Sequence, residues 1–368
     1  MLAGLRYNYD NIEYGVKQVL VGSGCVFCDS FGSNESSTAV GDLTLQMHFA
    51  DSSMAYLTYA HGYSPPAYNT AAVLCPGTML HGAPSVPQPI CTTVDGVSYT
   101  GASFNGSPAA PGVVNQPLPV VAAESINHYE LGLKGTYFDR RLSLDAAVFD
   151  TLYNNFQINT YQTQLGAQSL LEFLAAGSAY TRGVELNAEA LPARDTRVSL
   201  GLAYIDAKFS NFNNAQCWTG EPTSQCPNGT QNLSGTAIPQ TPKFKGVIAL
   251  SQRFVVSDSS DLVFGGDYTY RTSTQMLADA DPYSIMPAFG IANFHLTYAL
   301  DTGAKSKFTA TAFVDNAFNH FYATDVEDFF SGLWGAGNGS GPGNGPAVLQ
   351  QPARDAVRYG GLKLNYSW

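Results

Sequence analysis

The sequence predicts an all-β fold, a transmembrane antiparallel up-and-down β-barrel of about twelve strands. Three observations carry that prediction. Segments of alternating apolar and polar residues recur along the chain, short turns alternate with long connections, and no run of about 18 apolar residues exists to form a membrane-spanning helix. Composition agrees: charged residues make up 13% of the 368, about half the share of an ordinary soluble domain. So low a charge content, with a mean hydropathy near zero, suits strands that turn one face to lipid and the other to water. The net charge of −11 argues against nucleic acid as a partner, because that binding needs clustered Lys and Arg.

The alternation opens at 3–10, where Ala3, Leu5, Tyr7 and Tyr9 share one face and Gly4, Arg6, Asn8 and Asp10 the other. Leu43, Leu45, Met47 and Phe49 then alternate with Thr44, Gln46 and His48, and a polar turn at 51–53 leads into a strand over 54–63. Four hairpins follow with the same grammar. They join 129–137 to 142–148, 184–190 to 198–204, 244–254 to 262–271, and 292–300 to 308–316, each across a short polar turn. The twelfth strand ends the chain: Leu362, Leu364, Tyr366 and Trp368 fall on one face, Gly361, Lys363, Asn365 and Ser367 on the other. Such an ending resembles the C-terminal assembly signal of outer-membrane barrels, which implies outer-membrane lipid and the barrel-assembly machinery as partners.

The long connections fall at 11–37, 64–123, 162–175, 211–235, 276–287 and 324–353. Short turns at one end of the strands and long loops at the other predict periplasmic turns and extracellular loops. The Gly-rich run 335–346 lies in one of these loops, and with no strand-to-helix context or following Lys-Ser/Thr it is not a phosphate cradle.

Six cysteines form three local pairs, Cys25 with Cys28, Cys75 with Cys91 and Cys217 with Cys226, all in Gly-, Ser-, Asn- or Pro-rich stretches. Loop disulfides are the expected state, with a redox-active Cys25–Cys28 pair and a zinc site as the alternatives. The six histidines are scattered without metal-ligand spacing, so neither a metal nor a cofactor is expected. By strand parity Arg6, Glu130, Lys134, Glu185, Glu189, Asp267 and Arg271 face the water-filled side as an ion network of the wall. Met1 is followed directly by LAGLRYNYD, which has neither the apolar core nor the cleavage site of a secretory signal.

Several stretches resemble the C-terminal half of TonB-dependent outer-membrane receptors. They are AGLRYNYD (3–10), MAYLTYAHGYSPPAYN (54–69), HYELGLKGTYFDRRLSLDAAVFD (128–150) with its Glu130-x-Gly132-x-Lys134 pattern, RGVELNAEALP (182–192) and FVDNAFNHFY (313–322). These run along essentially the whole chain in the family's order. The resemblance implies residues 1–368 are the second half of a 22-stranded barrel, without the signal peptide, plug domain, TonB-contacting segment and first strands. It implies an outer-membrane receptor of a Gram-negative bacterium, not an enzyme, that takes up a scarce ligand, most specifically a ferric siderophore. TonB would act only through the plug, so no active transport is expected from this stretch alone. A plug would meet the water-facing polar residues. Ligand capture would fall to the loop residues Tyr63, Tyr68, Asn69, Tyr161, Trp218, Phe329, Phe330 and Trp334, since aromatic platforms suit large planar ligands. The alternatives are a self-closed twelve-stranded passive channel and a barrel hydrolase with a Ser-His-Asn arrangement.

Overall fold

The computed structural model describes residues 1–18, 28–50, 52–68, 116–117, 120–162, 170–218, 221–222, 224–226, 230–303, 306–329 and 347–368. Twelve long strands form one antiparallel sheet in chain order. They are β1 (Leu2–Gln18), β2 (Cys28–Ala50), β3 (Ser53–Ser64), β4 (Glu124–Tyr137), β5 (Leu142–Gln162), β6 (Leu170–Ala193), β7 (Thr196–Asn211), β8 (Phe244–Ser257), β9 (Ser260–Arg271), β10 (Phe289–Gly303), β11 (Ser306–Asp315) and β12 (Tyr359–Ser367). The short piece Gln116–Pro117 adds a parallel pairing to β2.

Register sorts the side chains by chemistry, because residues directly paired across strands share a face. One ladder runs Leu45, Leu57, Leu131, Val148, Val184, Tyr204 and Phe244 from β2 to β8, apolar throughout. The same face carries Leu5, 87% exposed, and Leu364, 61% exposed. A continuous exposed apolar face of this extent belongs against lipid. The opposite face is polar and holds cross-strand pairs: Thr44 Oγ1 meets Thr58 Oγ1 at 3.0 Å, Lys134 meets Asp145 at 3.0 Å, and Arg197 meets Glu189 at 3.3 Å.

The Glu130-x-Gly132-x-Lys134 pattern gains a physical reason here. Tyr56 of β3 pairs with Gly132, and its ring lies where a side chain would otherwise stand; a Cβ on Gly132 would come within 2.2 Å of the ring. That placement lets Tyr56 Oη donate to Glu130 at 2.6 Å and sets the Lys134 ammonium 5.4 Å from the ring centroid.

Four strands run further than the alternation predicts. The expected loops at 11–37 and 162–175 are largely ladder: β1 and β2 stay paired from Asn11 with Glu35 to Gln18 with Cys28, and β5 and β6 to Gln162 with Leu170. The physical reason is solvent. Above the bilayer both faces meet water, so the period-two hydrophobic signal fades while backbone pairing continues. At 21 and 24 residues, β5 and β6 would reach about 70–80 Å at ~3.3 Å per residue. About 9–11 residues cross a bilayer, so both project well beyond it on the long-loop side.

The sheet is open. Among the described residues no ladder joins β1 to β12, so the self-closed twelve-stranded channel is not the arrangement observed.

Candidate ligand site at the long-loop end

Tightly buried side chains are scarce in the wall and collect where the long connections fold against its polar face. The connection after β7 doubles back over it: Phe209 N donates to Thr236 O at 3.1 Å, and Gly235 N to Phe209 O at 2.7 Å. This buries Phe209 and Phe212, with ring centroids 4.9 Å apart, together with Leu233 and Ile238; Phe156 of β5 packs edge-on against Phe209 at 6.0 Å.

Within the same connection Ala215–Gln216 pairs with Thr230–Gln231, and Cys217 is joined to Cys226 in a disulfide. The carboxylate of Glu221 lies close to both sulfurs, but with the sulfurs bonded to each other the trio holds no metal in this state. Closing so short a loop stabilises it by about 2–3 kcal/mol. Replacing both cysteines by serine is therefore expected to speed proteolytic cleavage within 217–226 by tenfold or more on the ~1.4 kcal/mol per decade scale. Unchanged cleavage would show that the bond constrains nothing.

The connection after β9 forms a 3₁₀ turn, Pro282–Ser284, with Asp281 as its cap: the carboxylate accepts from Tyr283 N at 2.8 Å. It is tied to the first connection by Gln231 Nε2, which donates to Gln216 O at 2.7 Å and Asp279 O at 2.9 Å. The connection after β11 contributes a hairpin of Ala323–Phe329 with Ala347–Pro352. Its Ala323 and Val326 pack on Met276 and Met286 of the second connection.

Between these pieces and β5 lies a cavity of about 470 Å³, lined among others by Phe156, Asn159, Gln240, Met276, Asp279 and Asp325. Beside it stands a cation–aromatic stack. The Arg271 guanidinium lies 4.6 Å over the Phe289 ring, which stacks on Tyr322 at 4.5 Å, and Phe289 also packs against the Met276–Val326 cluster. Tyr322 Oη donates to Asp355; burial and that bond push the phenol well above its ordinary pKa, so it is a neutral donor at physiological pH. Arg271 Nε and Nη2 are buried and have no hydrogen-bond partner among the described residues. Two unsatisfied cationic donors beside an aromatic surface are an unusual and costly feature of a wall.

The expected site residues distribute unevenly. Arg6, Glu130, Lys134, Glu185, Glu189, Asp267 and Arg271 all fall at register positions of the polar face. Of these, Arg271 joins the stack. Tyr63 lies in β3 and Tyr161 in β5, not in loops, while Tyr68 and Phe329 end the short strands Ala67–Tyr68 and Ala323–Phe329. The cause is again pairing that outlasts the hydrophobic pattern. Tyr63 Oη bonds to Ser36 Oγ. Trp218 is in a loop as expected and meets Tyr283 edge-on at 5.9 Å. Cys28 begins β2 instead of lying in a loop. Asn69, Phe330, Trp334, Cys25, Cys75 and Cys91 lie outside the described residues, as do the side chains of Tyr68, Tyr161, Phe329 and Cys28. Phe156, Met276, Phe289 and Tyr322 escaped sequence reasoning, although Tyr322 closes the FVDNAFNHFY stretch.

A family model described as TonB-dependent receptor-like, beta-barrel matches residues 1–317. The chain belongs to the TonB-dependent receptor family. Its wall is similar to that of the ferric yersiniabactin uptake receptor FyuA from Yersinia pestis, with 17% identity over 98% of this chain and 42% of that one, and a TM-score of 0.62. The siderophore receptor PiuA from Acinetobacter baumannii is similar at 15% identity, 99% and 40% coverage and TM-score 0.58. The copper transporter OprC matches at 15% identity, 99% and 45% coverage and TM-score 0.58. A search of curated proteins by sequence finds no match. Identities this low speak to fold, and the chain spans about two-fifths of the length of these receptors. Members of the TonB-dependent receptor family are outer-membrane proteins, and the apolar face of this sheet is the one suited to lipid.

Proposed function

We propose that this chain is wall and extracellular ligand platform of an outer-membrane receptor for a ferric siderophore. The observation that carries the proposal is the Arg271–Phe289–Tyr322 stack beside the 470 Å³ cavity, with two guanidinium donors that have no partner among the described residues. Ferric siderophores are bulky and often anionic, and many present aromatic chelating rings. Such a ligand matches a ring platform with a half-buried cation at its edge. The siderophore receptors among the similar structures support that class of cargo, whereas the copper transporter keeps a bare metal ion as the competing one. The polar wall below supplies a hydrated path and a surface for the plug through which TonB would drive transport.

A hydrolase has weak support. Thr151 Oγ1, His128 and Glu130 form a hydroxyl–imidazole–carboxylate chain at 2.8 and 3.5 Å, but Thr151 is buried, and Tyr56 already bonds to Glu130. The adjoining backbone N–H groups belong to the β4 and β5 ladders, which leaves no donors for an oxyanion.

Titration of the detergent-solubilised protein with ferric catecholate and ferric hydroxamate complexes, followed by tryptophan quenching, tests the reading. Saturable binding is expected, with Arg271→Gln weakening it about 10- to 100-fold, the worth of one charge-assisted contact. Binding of copper ions but of no ferric chelate would overturn it.

A further inference from the structure

The short-turn end of the wall holds a feature that ligand capture does not use. Arg141, Arg194, Arg197 and Arg253 line one recess of about 630 Å³, together with Asp195 and Leu191. Such convergence is against the trend of a chain with 18 Lys and Arg and a net charge of −11. Arg141 ends the β4–β5 turn and Arg194 begins the β6–β7 turn, while Arg197 and Arg253 come from β7 and β8. The turns are locked together: Leu191 N donates to Arg141 O at 2.7 Å, and Arg253 N to Asp195 O at 2.9 Å.

Two of the four cations are held by carboxylates. Arg253 bridges Asp195 at 3.4 Å and Asp261 at 2.8 Å, and Arg197 pairs with Glu189 at 3.3 Å. Arg141 and Arg194 are exposed and form no ion pair among the described residues. The recess opens on the polar face, because Arg197 pairs with Ser251, Arg253 pairs with Val263, and these positions share the parity of Glu189 and Asp267. Lipid contacts the other face. The guanidinium fork matches carboxylates bidentately, and Leu191 and Val263 add apolar surface that a small inorganic anion would leave unused.

We infer that this recess docks an acidic, extended segment of polypeptide at the periplasmic mouth of the receptor. The orientation rests on family membership alone, so the inference stands or falls independently of the ferric ligand. The test uses the full chain in uncharged detergent and a fluorescein-labelled peptide with four glutamates, against its glutamine counterpart, read by fluorescence anisotropy. Saturable binding of the glutamate peptide alone is expected, weakening at least tenfold between about 50 and 200 mM salt as screening shortens the reach of the charges. Arg141→Glu with Arg194→Glu should weaken it a further tenfold or more. Since neither side chain has an ion-pair partner to lose among the described residues, β-sheet circular dichroism and ferric-chelate binding should stay as in the wild type. Equal binding by the double variant would overturn the inference. So would full displacement by millimolar phosphate, which would make this a phosphate site, or binding that requires phosphatidylglycerol vesicles.

Discussion

Replacing Asn316 by leucine should cost at least about 3 kcal/mol and release the connection that carries Tyr322. Asn316 is fully buried, at 0% exposure, just past the end of β11. Its Nδ2 donates to His320 O at 2.8 Å and Asp355 O at 3.0 Å, and its Oδ1 accepts from His320 N at 2.8 Å. Its own N–H donates to Asn293 Oδ1 at 3.0 Å. One residue, through its side chain and its backbone N–H, thus joins β10, the turn after β11 and the approach to β12. Leucine has similar bulk but would leave three part-buried backbone groups without their partner, each costing about 1 kcal/mol or more. It would also occupy φ 49°, a left-handed conformation that asparagine tolerates and leucine resists. Hydrogen exchange at the His320 amide is the direct readout, because that amide loses its acceptor. Faster exchange there, a lower urea midpoint and weaker ferric-chelate binding through a displaced Tyr322 are expected together. A midpoint equal to the wild type would show that the turn is held by something else.

Asn316 also shows what a sequence discloses about this site and what it withholds. The FVDNAFNHFY stretch resembles a family strand, so its place in the chain was legible; that its asparagine is the clamp became visible only once His320 and Asp355 came within reach. The wall was legible because lipid imposes period two on every membrane-crossing strand, and the twelve strands appear in the expected order. Strand ends were not, since β1, β2, β5 and β6 continue into water where nothing selects an apolar face. Parity placed Arg271 on the polar face, yet its stacking on Phe289 depends on how a neighbouring connection folds. Loop aromatic residues are the ligand contacts a sequence suggests, whereas Phe156 lies in β5 and Phe289 in β10. The arginine recess was invisible for a related reason. Its members come from two turns and two strands, and β7 and β8 are joined by the long connection at 212–243.

Leu364→Arg should be the most damaging substitution in β12, and Lys363→Leu among the mildest, although the two residues are adjacent. Leu364 pairs with Ala310 on the lipid face and is 61% exposed. Lys363 pairs with Thr311 on the polar face. Both sit at the middle of a nine-residue strand, so each side chain leaves the wall near the bilayer midplane. An arginine there costs about 2–4 kcal/mol, which lowers the inserted-to-free ratio by roughly 30-fold to 1000-fold. A leucine at 363 forfeits a hydrated ammonium but leaves no charge in hydrocarbon. The strand's outward series Leu362, Leu364, Tyr366 and Trp368 would then be the apolar signal by which the chain enters the membrane, with the aromatic pair at the interface, where ring centroids 6.0 Å apart span the rim. Insertion into phosphatidylcholine vesicles, measured by protection from added protease, separates the cases. Equal protection of Leu364→Arg and Lys363→Leu would mean that β12 does not cross the bilayer in this register. A loss at 363 with none at 364 would put the lipid on the opposite face, and every orientation drawn from the ladder would reverse with it.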